Sequence, residues 1–301
     1  MSWFDDFELR DFSVNSIRLA ARVPRAGMRG KPVLFLLHGF PQTHVMWHRV
    51  AQALSPDFDL VLPDLRGYGD SAKPVGDKEH LGYSKRTMAN DIVGLADALG
   101  VQRFGLGGHD RGGRVAHRLA LDHPSRVSRL CVMDIAPTLD MYATTNFDFA
   151  QAYYHWFHLT QPSPLPEQMI GGNPLPYLHK KLGGWGTGGT QHLEPEALAE
   201  YERCFCKPET IHALCEDYRA SASIDLVHDR ASREHGEKIA CDTLVLWGAK
   251  GVVHKMFDPL RLWQAQCNAK VSGCVLDTGH FNAEEQAGET AHWLRLHFKP
   301  A

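Results

Sequence analysis

The sequence predicts an α/β protein: a mostly parallel, doubly wound sheet with a helical insertion placed over the C-terminal edge of its strands. Three observations carry this expectation. Short apolar strands alternate with helix-patterned runs across short loops, the pattern of parallel strands joined by crossover helices. The stretch Gly107-Gly108-His109-Asp110-Arg111-Gly112-Gly113-Arg114 separates an apolar run beginning at Val101 from a helical run, Val115 to Leu121, that Pro124 closes; it reads as strand, sharp turn and helix. The alternation stops near Leu139 and resumes after Ala240. The expected organisation is a core of residues 1–138 and 241–301 with a helical cap of residues 139–240.

In chain order, residues 12–23 alternate polar and apolar side chains and read as extended. Pro32 opens a second strand, Val33 to Leu37, apolar on both faces as in a sheet covered on both sides. The loop His38-Gly39-Phe40-Pro41-Gln42 follows it, and a third strand, Asp59 to Leu62, ends in a glycine-rich loop from Asp64 to Gly69. Ser84 is placed to cap a helix whose Met88, Ile92, Leu95 and Leu99 recur at helical spacing until Gly100. After the elbow comes the strand Leu130 to Met133, ending in Asp134. The insertion is rich in aromatics, proline and glycine, with a helical stretch at Glu196 to Cys206. The strands Thr243 to Trp247 and Val271 to Leu276 restore the parallel pattern; Asp277-Thr278-Gly279-His280 and an amphipathic helix from Ala283 to Phe298 close the chain, with Glu284 and Glu285 in that helix's favourable first turn.

Composition narrows the classes of function. The chain has 301 residues, 44% of them hydrophobic and 22% charged, and a net charge of -3, which offers no electrostatic reason to invoke nucleic acid or an anionic membrane. No apolar run approaches a membrane span, and the first residues have neither a basic nor an apolar leader segment, so a soluble cytoplasmic protein is expected. The seven cysteines are scattered, with Cys204-x-Cys206 reading as two thiols on a cap helix, and the eighteen histidines are dispersed. No metal or other cofactor is expected.

The chemistry is carried by the strand ends. Gly108-x-Asp110-x-Gly112 is the nucleophile-elbow spacing with aspartate in the place of serine. Asp110 is therefore a candidate nucleophile, against the alternative that it caps the following helix. A carboxylate that attacks carbon leaves an ester, which water activated by a base must cleave. His280, after the last strand, falls where the histidine of the nucleophile–acid–histidine order belongs. It needs an acid to hold its tautomer; Asp134 is the better candidate, because after Trp247 no acid appears before Asp258. The backbone N–H groups near Phe40 and at Arg111 are placed to form an oxyanion hole. Arg111 and Arg114, three residues apart beside Asp110, suit a small carboxylic acid, since guanidinium groups bind carboxylates bidentately and offset the repulsion an anionic nucleophile would exert. Arg118 and Arg126 are expected to be surface or phosphate-binding residues.

The run His38-Gly-Phe-Pro-Gln-Thr-His-Val-Met-Trp-His48, the elbow His109-Asp-Arg-Gly-Gly-Arg114, Tyr154-His-Trp156, Cys215-Glu-Asp-Tyr-Arg219 and Gly279-His-Phe281 closely resemble the fluoroacetate (haloacetate) dehalogenases of the α/β-hydrolase superfamily. The resemblance spans nearly the whole chain. Haloalkane dehalogenases and epoxide hydrolases usually carry tryptophan after the aspartate, where this chain has Arg111. The resemblance implies the α/β-hydrolase fold and hydrolytic dehalogenation of a haloacetate, with Asp110 as nucleophile, His280 as base and Asp134 as its acid. It implies that Arg111 and Arg114 hold the substrate carboxylate, that His155, Trp156 and Tyr218 donate hydrogen bonds to the departing halide, and that the protein is a homodimer. Departures from the pattern are Trp156-Phe157-His158, Phe281-Asn282-Ala283, and Gly113 where alanine is often seen. An epoxide hydrolase using the same aspartate, with Tyr153, Tyr154 or Tyr218 as ring-oxygen acid, and a non-catalytic binder of carboxylates are the competing readings.

Overall fold

The computed structural model describes residues 2–185 and 188–299. Its strands are β1 (Phe7–Val14), β2 (Ile17–Pro24), β3 (Val33–Leu37), β4 (Asp59–Pro63), β5 (Phe104–His109), β6 (Val127–Met133), β7 (Thr243–Gly248) and β8 (Val271–Leu276). They form one sheet in the order β1-β2-β4-β3-β5-β6-β7-β8. From β4 to β8 every pairing is parallel, while β1/β2 and β2/β4 are antiparallel.

The single extended run expected over residues 12–23 is instead a hairpin. Asn15 and Ser16 have φ of 46° and 63°, and a two-residue turn with both central residues left-handed matches the twist of the strands it joins. β3, β4 and β5 are buried almost throughout, as strands covered on both faces must be. Helices flank them: Lys85–Ala98 packs on Asp110–Asp122, and His48–Leu54 on Ala287–Phe298. The Ser84 side chain accepts from Thr87 N, the cap the sequence calls for, and Gly100 leaves the helix at φ 72°.

Between β6 and β7 the described residues form helices, from Thr138–Ala143 to Ile224–Glu234, and one isolated bridge, Ile239 to Cys267. The helix expected at Glu196 to Cys206 spans Pro195–Phe205. The apolar interior is continuous from the sheet into these helices, through Phe40, Trp156, Tyr201 and Tyr218. No described helix is long and apolar enough to cross a membrane.

The last amphipathic helix is two helices, Asn282–Glu285 and Ala287–Phe298, broken at Gln286 with φ −138°. The break lets the short first piece turn inward. Glu284 is consequently buried rather than exposed at a helix N-terminus, and its carboxyl is pushed up to about 8 by that burial. Arg118 is also not a surface residue: it is buried and paired with Asp122 and Asp229. Arg126 binds Asp97 and lies over the Phe104 ring.

Candidate active site

The strand ends converge. β5 runs directly into the helix Asp110–Asp122, and Asp110 takes φ 46° at the junction, a conformation that L side chains adopt rarely and that recurs where function holds it. The close approach needs glycine. A Cβ on Gly112 would stand 2.4 Å from the His38 carbonyl, and one on Gly39 would stand 2.5 Å from Asp110 Cβ. Gly113 is tight as well: a Cβ there would stand 2.8 Å from Ile135 Cδ1, so the isoleucine fills the space an alanine would claim.

The Asp110 carboxylate is no helix cap. His109 occupies the cap position, and the backbone donor to Asp110 is Phe40 N–H, at 3.0 Å from Oδ1. Burial works to raise the Asp110 carboxyl, but the charges of His280, Arg114 and Arg111 outweigh it and hold it below the ordinary carboxylate range. His280 Nδ1 lies 2.6 Å from Asp134 Oδ2, and Asp134 Oδ1 accepts from Gly248 N at 2.9 Å. Burial would lower the His280 imidazole; the Asp134 hydrogen bond and charge, with Asp110 adding, carry it above its ordinary value instead. Asp258, the alternative acid, caps the helix Pro259–Gln266 through Arg261 N.

Both arginines are buried beneath the inserted helices, but they differ in their partners. Arg111 is gripped by Asp217, with Nε 3.0 Å from Oδ2 and Nη2 2.7 Å from Oδ1; burial would lower it, and Asp217 raises it well above the ordinary guanidinium range. Among the described residues Arg114 has neutral hydrogen-bond partners, the Ala136 carbonyl, Thr138 Oγ1 and Met141 Sδ. One nitrogen of each, Arg111 Nη1 and Arg114 Nε, is buried without a hydrogen-bond partner among the described residues.

His155, Trp156 and Tyr218 come together over the elbow. The Arg111 guanidinium sits 4.3 Å from the Tyr218 ring and that of Arg114 4.8 Å from the Trp156 ring. The Phe40 ring stacks on His155 at 5.7 Å and meets Tyr218 edge-on at 5.3 Å. His155 Nδ1 is buried and unpartnered among the described residues, and its imidazole is held far below its ordinary value by burial and by nearby Lys181 and Arg111.

Several positioning residues are not apparent from motif spacing. Asp217 lies inside the run Cys215 to Arg219, yet nothing in a linear sequence links it to Arg111. His109 Nε2 approaches the His280 carbonyl at 2.7 Å, and burial, reinforced by the charge of His280, pushes its imidazole down to about 3, so it stays neutral. His280 N–H donates to the Trp185 carbonyl at 2.8 Å. Glu285 accepts from Gly279 N and Phe281 N and so clasps the His280 loop on both sides.

A mostly parallel sheet with an aspartate elbow, a strand-end histidine and helices inserted after β6 defines a hydrolase of the α/β class. The chain belongs to the alpha/beta hydrolase fold family, whose model matches residues 32–287. It is 42% identical to fluoroacetate dehalogenase of Burkholderia sp over 97% of this chain and 94% of that one. It is also similar to soluble epoxide hydrolase of Corynebacterium sp. (strain C12), at 32% identity over 84% and 85% of the two chains. Among solved structures, ALR0039 of Nostoc sp PCC 7120, provisionally classed as an alpha/beta hydrolase, superposes with a TM-score of 0.94 at 48% identity, covering 99% of this chain and 100% of that one.

Proposed function

We propose that the protein is a haloacetate dehalogenase, converting fluoroacetate to glycolate and fluoride. The observation that carries this reading is the pair of buried arginines beside Asp110, each with one guanidinium nitrogen lacking a partner among the described residues. A buried donor left unsatisfied is costly, and a substrate carboxylate supplies the acceptor both need. With the carboxylate so held, the neighbouring carbon faces Asp110.

Phe40 N–H occupies Oδ1, leaving Oδ2 to attack that carbon from behind the halogen. The new C–O bond forms as the C–X bond breaks, and the halide departs with the bonding pair. His155, Trp156 and Tyr218 present N–H and O–H groups to the charge that develops on it. His280, held by Asp134, then takes a proton from water, and the hydroxide attacks Cγ of the Asp110 ester. The oxyanion forms on Oδ1, where Phe40 N–H already lies and Arg111 N–H would be the second donor. Collapse expels the alkoxide oxygen of the 2-hydroxy acid, which takes the proton held by His280, and the Asp110 carboxyl loses its remaining proton to solvent and is again a carboxylate.

The cap of residues 139–240 and the homodimer belong to the same reading. The similarity to an epoxide hydrolase and the buried Tyr153 and Tyr218 favour one alternative, ring opening by Asp110 with a tyrosine as acid. Halide release from fluoroacetate and chloroacetate, measured with wild type beside D110N, separates the two. Fluoride released by wild type alone supports defluorination; chloride without fluoride keeps the nucleophile but not the fluoride-tuned pocket; neither halide, with epoxide turnover, replaces the proposal.

A further inference from the structure

Lys181, in the helix Pro174–Gly184, is buried at 2% exposure, yet it has no carboxylate within ion-pair distance among the described residues. Its ammonium lies 3.5 Å from the centre of the Tyr154 ring and 5.2 Å from those of Tyr177 and Trp185. Aromatic faces attract a cation but accept none of its three N–H groups as a true hydrogen-bond acceptor would. Burial, with Lys180 adding its charge, brings the amine down to about 7.

The imidazoles around it lack hydrogen-bond partners among the described residues. Both ring nitrogens of His158 and Nδ1 of His155 are buried without partners among the described residues, and the charge of Lys181 acts on both imidazoles. None of these side chains is an anion; the Trp185 N–H is already donated to the Ala152 carbonyl at 3.3 Å, so it is not among the donors a ligand would find. Trp185 joins the cluster to the site beneath, since its ring lies 4.6 Å from His155 and 5.5 Å from His280.

We infer that Lys181, with His158, forms a second anion site within the inserted helices, which takes a halide ion behind His155 and the pocket where the carbon–halogen bond breaks. The site binds a small monovalent anion; that its natural occupant is the released halide rests on the dehalogenase reading. An ion leaving the His155–Trp156–Tyr218 side would pass the His155–Trp185 wall and meet a cation that lacks a counterion among the described residues.

The test is titration of the full chain with chloride and bromide, read as tryptophan fluorescence in a W156F background, where the lower pocket has lost a donor, with the Trp185 signal taken as the difference from W156F/W185F because five other tryptophans remain. Saturable quenching is expected with Lys181 present. K181M should weaken it by about thirtyfold or more, the usual consequence of removing one member of a buried charged contact, while K181R should retain it. A folded K181M that saturates as tightly as its parent overturns the site, and so does a K181R that loses binding together with K181M. Bromide anomalous diffraction gives the second readout: a peak within hydrogen-bond reach of Nζ is expected, and bromide confined to the Trp156 side contradicts the proposal. Saturable binding in a protein that releases no halide from haloacetates would leave this site standing and remove the dehalogenase reading; halide release without such binding would do the reverse.

Discussion

Arg111 and Asp217 form a two-pronged ion pair with no exposure on either side chain, at 3.0 and 2.7 Å, between the first turn of the elbow helix and an inserted helix. The same carboxylate accepts from Tyr68 OH at 2.6 Å and contacts Lys85 Nζ, which in turn lies 3.5 Å from Asp225 Oδ2. One aspartate on the insertion thus holds three groups of the sheet's own helices and loops. It also sets how much of the Arg111 charge is left for a ligand.

Replacing Asp217 should therefore affect stability and substrate binding together. D217N keeps the shape but leaves Arg111 and Lys85 short of a counter-charge, and breaking a buried pair typically costs about 3–5 kcal/mol. Thermal unfolding should show the loss directly. The KM for haloacetate should rise as Arg111 loses its orientation; an unchanged melting temperature would show that the network contributes little.

Arg114 carries the less compensated charge, since its hydrogen-bond partners are neutral. R114M should lower kcat/KM for haloacetates by about 10²-fold, the scale of losing a buried charged contact, with a smaller stability change than R111M. Steady-state kinetics on both variants, beside their melting curves, distinguishes the two roles. Equal kinetic losses with equal melting shifts would deny Arg114 a separate part.

On the proposed mechanism the two half-reactions can be separated chemically. H280N should be alkylated on Asp110 by chloroacetate and then stall, and intact mass spectrometry should detect the carboxymethyl adduct. D110N should show none. Multiple turnovers by H280N would mean another base hydrolyses the ester.

The acidic limb of the pH–rate profile should report His280. Asp134 raises its imidazole above the ordinary 6.5, and the base works only when neutral, so activity should fall as pH drops through that raised value. In D134N the remaining burial lowers the imidazole, and the limb of the residual activity should move to lower pH. Asp110, held low by its cationic neighbours, remains ionised throughout that window.

Glu284 supplies a stability prediction. Its folded-state value of about 8 against an ordinary 4.5 means that between those pH values the native state holds a proton the unfolded chain has released. Stability from this group is thus fully present below pH 4.5 and is lost as pH rises towards 8. E284Q, which retains a partner for Tyr201 OH and for Gln42 Nε2, should flatten that decline. Denaturant unfolding of both proteins at pH 5 and pH 8 measures it, and parallel pH dependence would show that Glu284 is ionised in the native state.

The sequence by itself determined the parallel part of the sheet and put the candidate site residues at its strand ends. Apolar runs of β length, helical periodicity and the glycines around Asp110 are local signals, because they follow from what each few residues can bury or how far their backbone can bend. They place Asp110, Asp134 and His280 at strand ends, and the structure brings His280 within 2.6 Å of Asp134. The hairpin at Asn15-Ser16 is not legible in the same way because its turn lacks glycine and proline, although both residues take positive φ. What only the tertiary structure decided was which charges meet. Arg111 and Asp217 are separated by 106 positions, and Arg111, Arg114 and Arg118 look alike in sequence. One is neutralised by an inserted aspartate, one faces the site with neutral partners, and one is locked into the buried pairs of its own helix and Asp229. Glu284 likewise reads as an exposed first-turn carboxylate until a break at Gln286 turns it inward. Long-range packing fixes desolvation and pairing, and those two quantities set the charge each group carries.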